Sequence, residues 1–423
     1  MADHESARAK DGARGMQRPF RIQVINQISP IGLSRLPADL YAVGKDADEP
    51  DAILVRSADL HAIEIPRSVL AIGRAGAGPN NIPVQAMSKR GIPVFNAPGA
   101  NANAVKELVI AGMLMAARNL PAALQFVGQL APSHPDLDRA VEDGKKSFAG
   151  FELSGHTLGV IGLGMIGCLV ADAAIKLGMK VVGYDPEITV DAAWSLPSQV
   201  KKAQSVAEIL KSCDFVTLHV PLVAATRGLI NADNLRGLRS DAIVLNFSRE
   251  GVVDEGAILA ALADGKLRNY VCDFPSAAMS GRSVNGIVNG ADGVIVLPHL
   301  GASTKEAEDN CAAMVVDQLR DYLEDGNIQN AVNFPAAIAP RESSYRIAIA
   351  NANVPNMLGQ ISTAMAHAGL NIHNMLNKSR GDMAYTLVDV DSAVGDAAIE
   401  SIHAIEGVLS VRYLPAPDAK GPA

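Results

Sequence analysis

The feature that most constrains this chain is a glycine-rich turn, GLGMIG from Gly162 to Gly167, between a β-type run and a helical pattern. The residues TLGVI before it are typical of a buried strand, and CLVADAAIKLG after it has helical spacing. Gly162 permits the tight turn, Gly164 lets the backbone approach a pyrophosphate, and Gly167 lets the helix pack on the strand. The context predicts a dinucleotide-binding strand, turn and helix.

The next β-type run, KVVGYD, ends in Asp185, at the spacing expected of a carboxylate that binds the adenosine ribose. Its charge would repel a 2'-phosphate, so NAD is predicted in preference to NADP. Two other interpretations remain open. The glycines can form a structural turn in a domain that binds no nucleotide, and Asp185 can cap the turn before Pro186.

Apolar runs and helical patterns alternate on both sides of this turn, in a chain of 423 residues that is 48% apolar and only 4% aromatic. Such a length exceeds one hydrophobic core, so two or three domains are expected. The β-type runs are RIQVINQ, AILVR, SVLAIGRA and IPVFN before the turn, and DFVTLHV, AIVLNFS, NYVCDF and GVIVLP after it. The alternation predicts an α/β fold with a parallel, doubly wound sheet.

Charge and cysteine usage exclude several classes of function. A net charge of -8 argues against affinity for nucleic acid or an anionic membrane surface. The four cysteines form no C-x-x-C pair and the histidines show no metal-ligand spacing, so we expect buried thiols, a cytoplasmic protein and no bound metal. Residues 1–18 have the composition of a disordered polar tail.

The C-terminal region shows a different order of elements. A helical pattern runs from Thr304 to Asp325, and residues 336–344, which follow Pro335 and include Pro340, are predicted to form a linker. Residues 345–416 then show the order β, α, β, β, α, β, which is typical of a ferredoxin-like domain.

Two side chains late in the nucleotide unit suit the chemistry of a hydroxy acid. Arg249 follows the run AIVLNFS and His299 follows VIVLP, so both are expected at the carboxyl edge of the parallel sheet, where α/β proteins bind ligands. A cation can bind a carboxylate, and an imidazole can take the proton of a hydroxyl group. Equally, Arg249 can form a surface ion pair and His299 can be an ordinary loop residue.

The segments GVIGLGMIG, LHVPL, NFSREGVVDE and LPHLGAST, in this order, resemble the D-isomer-specific 2-hydroxyacid dehydrogenase family. The resemblance implies a Rossmann NAD domain, residues 103–299, inserted in a smaller flavodoxin-like substrate domain, residues 19–102 and 300–335. It implies that Arg249 binds the substrate carboxylate and that His299 is the acid/base. It also implies cofactor contacts from the glycine turn and from several other residues, namely Met165, Ile166, Asp185, His219, Pro221, Thr226 and Asp273.

Within that family, RSADL, RAGAGPNNIPV and KRGIPVFNAPGANANAVKEL resemble the members that oxidise 3-phosphoglycerate at the start of serine biosynthesis and carry a C-terminal ACT regulatory domain. This implies that Gly78 and Asn80 lie in the loop that binds the substrate carboxylate. Arg56 and Arg74, with Ser57, then resemble residues that bind the phosphate, a role that suits the multidentate guanidinium group.

The ACT resemblance implies an amino-acid effector, serine, bound at a contact between two copies of the chain through Asn351, Asn353 and Asn371. Alternatively, these asparagines are turn and strand-start residues of a purely oligomerising domain. We expect a homodimer or homotetramer that acts on a small molecule.

The chain departs from the family pattern after the run NYVCDF. The family places there a glutamate that hydrogen-bonds the catalytic imidazole, whereas this sequence has Ala277 and Ala278. Either another acid such as Glu255 or Asp273 substitutes, or the enzyme is slow, or its reaction needs less help with proton transfer. The functions left open are therefore a dehydrogenase of 3-phosphoglycerate, a dehydrogenase of another D-2-hydroxy acid, and a cofactor-sensing homologue with reduced activity.

Overall fold

The computed structural model describes residues 18–131, 136–279 and 293–416, so residues 1–17 of the predicted tail lie outside the described residues. The described chain divides into two compact units, residues 1–100 with 308–423 and residues 101–307. The predicted fold class, α/β with a C-terminal antiparallel domain, is confirmed. The finer domain boundaries predicted above stay a prediction.

The first unit contains a five-stranded parallel sheet with the order β2-β1-β3-β4-β5. This is the flavodoxin-like order, in which ligands bind beyond the carboxyl ends of the strands near the β1/β3 crossover. Its elements are β1 (Phe20–Ile25), α1 (Pro30–Leu33), β2 (Tyr41–Gly44), β3 (Ala52–Val55), β4 (Ala71–Arg74), α2 (Val84–Lys89) and β5 (Val94–Phe95), with a 3-10 turn at Leu60–Ala62.

The second unit contains a seven-stranded parallel sheet with the order β12-β11-β10-β9-β6-β7-β8. Its strands are β6 (Thr157–Ile161), β7 (Lys180–Tyr184), β8 (Lys201–Lys202), β9 (Phe215–Leu218), β10 (Ala242–Asn246), β11 (Leu267–Cys272) and β12 (Val294–Val296). Two apolar clusters cover the two faces of this sheet, so its central strands are buried on both sides.

Helices connect these strands, as a doubly wound fold requires. They are α3 (Ala102–Ala117), α4 (Leu120–Gln129), α5 (Leu137–Gly144), α6 (Met165–Lys176), α7 (Val190–Ser195), α8 (Val206–Ser212), α9 (Ala232–Leu235) and α10 (Glu255–Ala263), with 3-10 turns at Lys145–Phe148 and Glu250–Val252. Helix α3 ends before Asn119, which has a φ of 50°, and Pro121 lies in the first turn of the next helix, where proline is tolerated. Among the described residues no single helix could span a membrane, although α3 and α4, bent by 66°, satisfy length and composition as a pair.

Helix α11 (Lys305–Asp325) begins at the end of the second unit and packs in the first. The C-terminal domain follows with β13 (Tyr345–Ala352), α12 (Met357–His367), β14 (Ile372–Arg380), β15 (Met383–Val390), α13 (Asp396–His403) and β16 (Val408–Pro415). Its antiparallel sheet has the order β14-β15-β13-β16, the ferredoxin-like arrangement that the sequence predicts.

Arginine side chains of the C-terminal sheet and of the segment before it cap the end of α11. Arg412 donates to the carbonyls of Tyr322 and Leu323, and Arg341 donates to that of Glu324. Arg346, only 1% exposed, donates to the carbonyl of Asp325 and forms a two-bond ion pair with Asp389. These contacts satisfy helix-end carbonyls that otherwise lack partners. Residues 336–344 also contribute carbonyls to Arg346, so the predicted linker is held in place.

Candidate active site

The glycine turn has the geometry that its sequence requires. Gly162 has a φ of 93°, and a Cβ atom there would lie 2.5 Å from the carbonyl oxygen of His219. A Cβ on Gly167 would clash with the carbonyl oxygen of Gly162, whereas one on Gly164 would meet nothing within 4 Å. Gly164 caps the N-terminus of α6, so the helix begins beside open space. Both tight positions accept only glycine, and the open one leaves room for a phosphate.

Asp185 follows β7 and is half-buried beside this turn. One carboxylate oxygen accepts from the backbone amide of Leu163 at 2.8 Å, and the other accepts from that of Glu187 at 2.9 Å. Because a carboxylate offers about four lone pairs, two remain for ribose hydroxyl groups. Asp185 is therefore both a turn residue and an available acceptor.

These observations fit a dinucleotide. The turn leaves space at a helix N-terminus, and the acceptor stands beyond the next strand, in the relation that the Rossmann arrangement requires. Met165 and Ile166, predicted to contact the cofactor, form the first turn of α6, and Met165 is 60% exposed. The residues present thus suit NAD.

The other predicted cofactor residues shape the loop after β9. The Nε2 of His219 lies 2.9 Å from Thr217 Oγ1, whereas its buried Nδ1 has no partner within the described part of the chain. Burial lowers the pKa of His219 to about 3, so the ring is neutral. Thr226 accepts from the Val223 amide and donates to the Pro221 carbonyl, which fixes the loop. A cofactor contact by each stays a prediction.

Arg249 projects from the carboxyl end of β10. The buried Asn246 side chain accepts from the Ser248 amide at 3.1 Å and donates to the Arg249 carbonyl at 2.9 Å, which fixes the turn. The Arg249 guanidinium donates to the Ser248 carbonyl at 2.6 Å. Burial lowers its pKa, and no carboxylate among the described residues forms an ion pair with it. The result is a half-buried cation in need of an anion.

His299 follows β12 and has a φ of 59°, a backbone conformation that is unusual for a non-glycine residue and that clusters at functional sites. Asp273, which is 2% exposed, holds this loop, since its carboxylate accepts from the amides of Leu300 and Gly301 at 2.8 Å each. Burial raises the pKa of Asp273, and these backbone donors oppose the shift. The imidazole itself is exposed and packs edge-on against the Phe274 ring at 5.2 Å.

Neither acid suggested as a substitute for the missing family glutamate binds the imidazole. Glu255 accepts from the Ser276 hydroxyl at 2.7 Å, and Asp273 is occupied by backbone amides. Ala277 and Ala278 are exposed. Within residues 18–131, 136–279 and 293–416, no carboxylate hydrogen-bonds His299. Asp273 therefore positions the histidine through the backbone, and the cofactor contact predicted for it is untested.

The first unit holds the residues predicted to bind phosphate. Arg56 and Ser57 follow β3 and line a cavity of about 500 Å³ together with Asn26, Gln27 and Lys45. Arg56 Nη2 lies 2.7 Å from an oxygen of Glu308 in the first turn of α11. The sequence predicts the arginine but not its acidic partner.

Arg74 ends β4 and lies in the same charged cluster. Burial raises the pKa of the Cys311 thiol, and the positive charges of Arg74 and Arg56 oppose this shift. The Arg74 guanidinium packs over Gly76, where it would clash with any Cβ atom. Arg56, Arg74 and Cys311 are thus brought together by the fold.

The loop that holds Gly78 and Asn80 is exposed at Asn80. Its anchor is Asn81, a residue not predicted above. Asn81 donates to the carbonyls of Arg56 and Ala58, at 3.3 and 2.6 Å, so it ties this loop to the strand end that carries Arg56. The Asn-Asn pair in GPNN is the signal that marks it.

The predicted effector residues do not meet within one chain. Asn351 and Asn353 lie at the end of β13, and Asn353 donates to the Gly381 carbonyl. Asn371 precedes β14, whose first residue pairs with Val390 opposite the start of β13. The groups are separated by the length of an eight-residue strand, about 25 Å. Asn351 is 1% exposed, and its side-chain oxygen has no partner among the described residues.

Comparisons with known proteins agree with this geometry. Residues 110–301 match the NAD binding domain of the D-isomer specific 2-hydroxyacid dehydrogenases. The chain is 33% identical over 355 residues to a D-3-phosphoglycerate dehydrogenase of Haemophilus influenzae, covering 83% of each protein. It is 32% identical over 356 residues to the protein of the same name from Escherichia coli, again covering 83% of each.

Among solved structures, the fold resembles that of NAD-bound 3-phosphoglycerate dehydrogenase from Entamoeba histolytica. The TM-score is 0.56 at 24% identity, over 74% of this chain and 99% of that one. This likeness concerns the fold. Together with the family match and the relatives over most of their length, it shows that the chain belongs to the D-isomer specific 2-hydroxyacid dehydrogenase family and is an NAD-dependent dehydrogenase.

Proposed function

We propose that the protein oxidises 3-phospho-D-glycerate to 3-phosphohydroxypyruvate, the first step of L-serine biosynthesis. The observation that carries the proposal is the joint presence of two cationic groups. Arg249, half-buried and without an ion pair among the described residues, suits a carboxylate, and the cluster of Arg56 with Arg74 suits a phosphate. The relatives named D-3-phosphoglycerate dehydrogenase, aligned over most of the chain, support the same substrate.

In this proposal Arg249 binds the substrate carboxylate and orients C2. The Arg249 charge is half-buried and lacks a carboxylate partner among the described residues. Folding has therefore already removed part of its water, and an anionic ligand compensates for that loss of solvation. His299 accepts the proton of the C2 hydroxyl group as the ketone forms. Bound NAD supplies the acceptor for the hydride that leaves C2. Asp273 keeps the His299 loop in its left-handed conformation.

Arg56 and Arg74, with Ser57, are assigned to the phosphate, whereas Gly78 and Asn80 are assigned to the carboxylate loop. A guanidinium group matches the oxygens of a phosphate by paired hydrogen bonds. Asn81 fixes the relation between the Arg56 strand end and that loop, so we assign it a positioning role.

The direct test is oxidation with NAD⁺ of 3-phosphoglycerate, D-glycerate and D-lactate, followed by the absorbance of NADH. We expect 3-phosphoglycerate to be the preferred substrate and Arg56→Ala to raise its KM with little change for D-glycerate. Equal efficiency with all three acids would remove the phosphate from the proposal and leave a general D-2-hydroxyacid dehydrogenase.

A cofactor-sensing homologue with reduced activity is the second candidate. It is favoured by the exposed alanines at positions 277 and 278 and by an imidazole that no described carboxylate binds. Binding of NAD without turnover of any acid in the panel would support it.

For the C-terminal domain we propose a serine site shared by two copies of the chain, within a homodimer or homotetramer. The separation of Asn371 from Asn353 in one chain supports a shared site, because one small ligand cannot reach both. The unsatisfied oxygen of Asn351 supports a polar ligand or water there. Calorimetric titration of the full chain with serine, alongside assays with and without it, tests this; no heat and no inhibition would leave an assembly module.

We also propose a cytoplasmic location. Four buried, unpaired thiols support it.

A further inference from the structure

The ion pair between Arg56 and Glu308 joins a proposed substrate group to an acidic side chain that no function described so far uses. Arg56 Nη2 and Glu308 Oε1 are 2.7 Å apart, with side chains 33% and 41% exposed. The two residues are 252 positions apart in the sequence, and both belong to the first unit. Because both are accessible, a ligand can exchange with the carboxylate.

The cavity that Arg56 faces has a neutral or positive lining. The cavity of about 500 Å³ at the carboxyl ends of β1, β2 and β3 is lined by Asn26, Gln27, Lys45, Arg56 and Ser57. None of these lining residues is acidic. Glu308 is thus a carboxylate bound to a cation that faces a cavity suited to an anion.

We propose that Glu308 is an internal competitor that occupies Arg56 until a phosphate dianion replaces it. This inference rests on the proposed phosphate role of Arg56. A distal carboxylate on a substrate would exchange one single charge for another, with no net gain at the guanidinium. A phosphate brings nearly two charges and three acceptor oxygens. It can therefore form stronger and more numerous hydrogen bonds with Arg56 than the Glu308 carboxylate does, and it displaces that carboxylate.

The size of the effect follows from the exposure of the pair. Half-exposed ion pairs stabilise proteins weakly. Loss of the competing Glu308 charge therefore corresponds to a change of about fivefold in the dissociation constant of an anion that binds Arg56. Glu308→Gln keeps a hydrogen-bond acceptor for Arg56 but removes the charge. We expect this variant to bind inorganic phosphate about fivefold more tightly than the wild type.

The same variant should bind the phosphorylated substrate more tightly. With NADH as reductant, its KM for 3-phosphohydroxypyruvate should fall by a factor similar to that for inorganic phosphate, because both ligands must displace the same carboxylate from Arg56. The matched control is Glu306→Gln on the same helix turn, because Glu306 is exposed and no ion pair of it is among the described contacts.

The experiment is calorimetric titration of inorganic phosphate into the full chain and into Glu308→Gln, Glu306→Gln and Arg56→Ala, with thermal unfolding of each to verify folding. The expected result is tighter binding for Glu308→Gln alone and weaker binding for Arg56→Ala. If Arg56→Ala weakens binding while Glu308→Gln equals the wild type or binds less tightly, Glu308 does not compete and the inference is wrong. If Arg56→Ala binds phosphate like the wild type, the phosphate role of Arg56 fails as well, which is a failure of the proposed function.

Discussion

The C-terminal sheet and the seven-stranded sheet each place an arginine away from full solvent exposure, but the two guanidinium groups differ in their hydrogen-bond partners. Arg346 in β13 is 1% exposed, and its guanidinium is saturated by Asp389 and by three backbone carbonyls. Arg249 after β10 is half-buried, and among the described residues its guanidinium donates to the neighbouring Ser248 carbonyl alone. The difference separates a charge that the protein itself satisfies, which stabilises the fold, from one that is left for a ligand. Arg56 is an intermediate case, because its charge is satisfied by a carboxylate that a ligand can replace.

The largest effect is expected where the satisfied charge is removed. Arg346→Leu leaves Asp389 buried without its partner, and breaking such a pair costs about 3 to 5 kcal/mol. Denaturant unfolding of the full chain should show this loss. Arg320→Ala, which breaks the more exposed pair with Glu324, should cost under about 1 kcal/mol. Similar losses for the two variants would contradict the distinction.

The same pair predicts a pH dependence. Burial alone would raise the pKa of Asp389, but the hydrogen bonds and charge of Arg346, with the backbone amide of Glu342, outweigh it and lower the pKa below its usual range. A lowered folded-state pKa contributes stability that is present above about pH 4 and is lost as the pH falls through the folded value. Unfolding of the wild type and of Arg346→Leu between neutral and acid pH should therefore converge at the acid end.

Removal of the unsatisfied charge should leave stability nearly intact and abolish activity. Arg249→Ala is expected to lower kcat/KM by roughly 10²- to 10³-fold, since the group acts at the reacting centre. Thermal unfolding of the same variant should stay close to the wild type. Arg236→Ala, an exposed residue paired with Asp233, serves as the control with unchanged activity. A variant at position 249 that unfolds instead would make its arginine structural.

Asp185 is an acidic residue that, like Arg249, keeps hydrogen-bonding capacity for a ligand, because the protein uses only part of it. Asp185→Ala should weaken NAD binding by about tenfold and improve the relative affinity for NADP, since both ribose hydrogen bonds and charge repulsion are lost. Fluorescence titration with NADH and NADPH measures both. An unchanged NADH affinity would mean that Asp185 serves only the turn.

The smallest effect is expected from supplying the His299 imidazole with a carboxylate partner. Ala277→Glu and Ala278→Glu each place a carboxylate beside His299 in the segment where the family has one. A carboxylate stabilises the imidazolium form, so the acid limb of the pH-rate profile for oxidation should move to higher pH in one of the two variants. Unaltered profiles in both would show that a group beyond the described residues already interacts with His299.

How far the sequence predicts this molecule depends on the range of the interaction. The turn at Gly162 and the central strands are encoded locally, by glycine spacing and apolar runs, and are predicted. The edge strands at Tyr41–Gly44 and Lys201–Lys202 are missed, because an edge strand needs fewer apolar residues to be covered. The pairing of Arg56 with Glu308 and the positive φ of His299 depend on tertiary contacts that no local pattern records.

The most direct test of the account compares two substrates on the wild-type protein. With NADH as reductant, kcat/KM is measured for 3-phosphohydroxypyruvate and for hydroxypyruvate, which lacks only the phosphate. Two arginines that bind a phosphate predict a preference of about 100-fold or more for the phosphorylated acid. Equal values of kcat/KM would contradict the assignment of the Arg56 and Arg74 cluster and with it the proposed substrate.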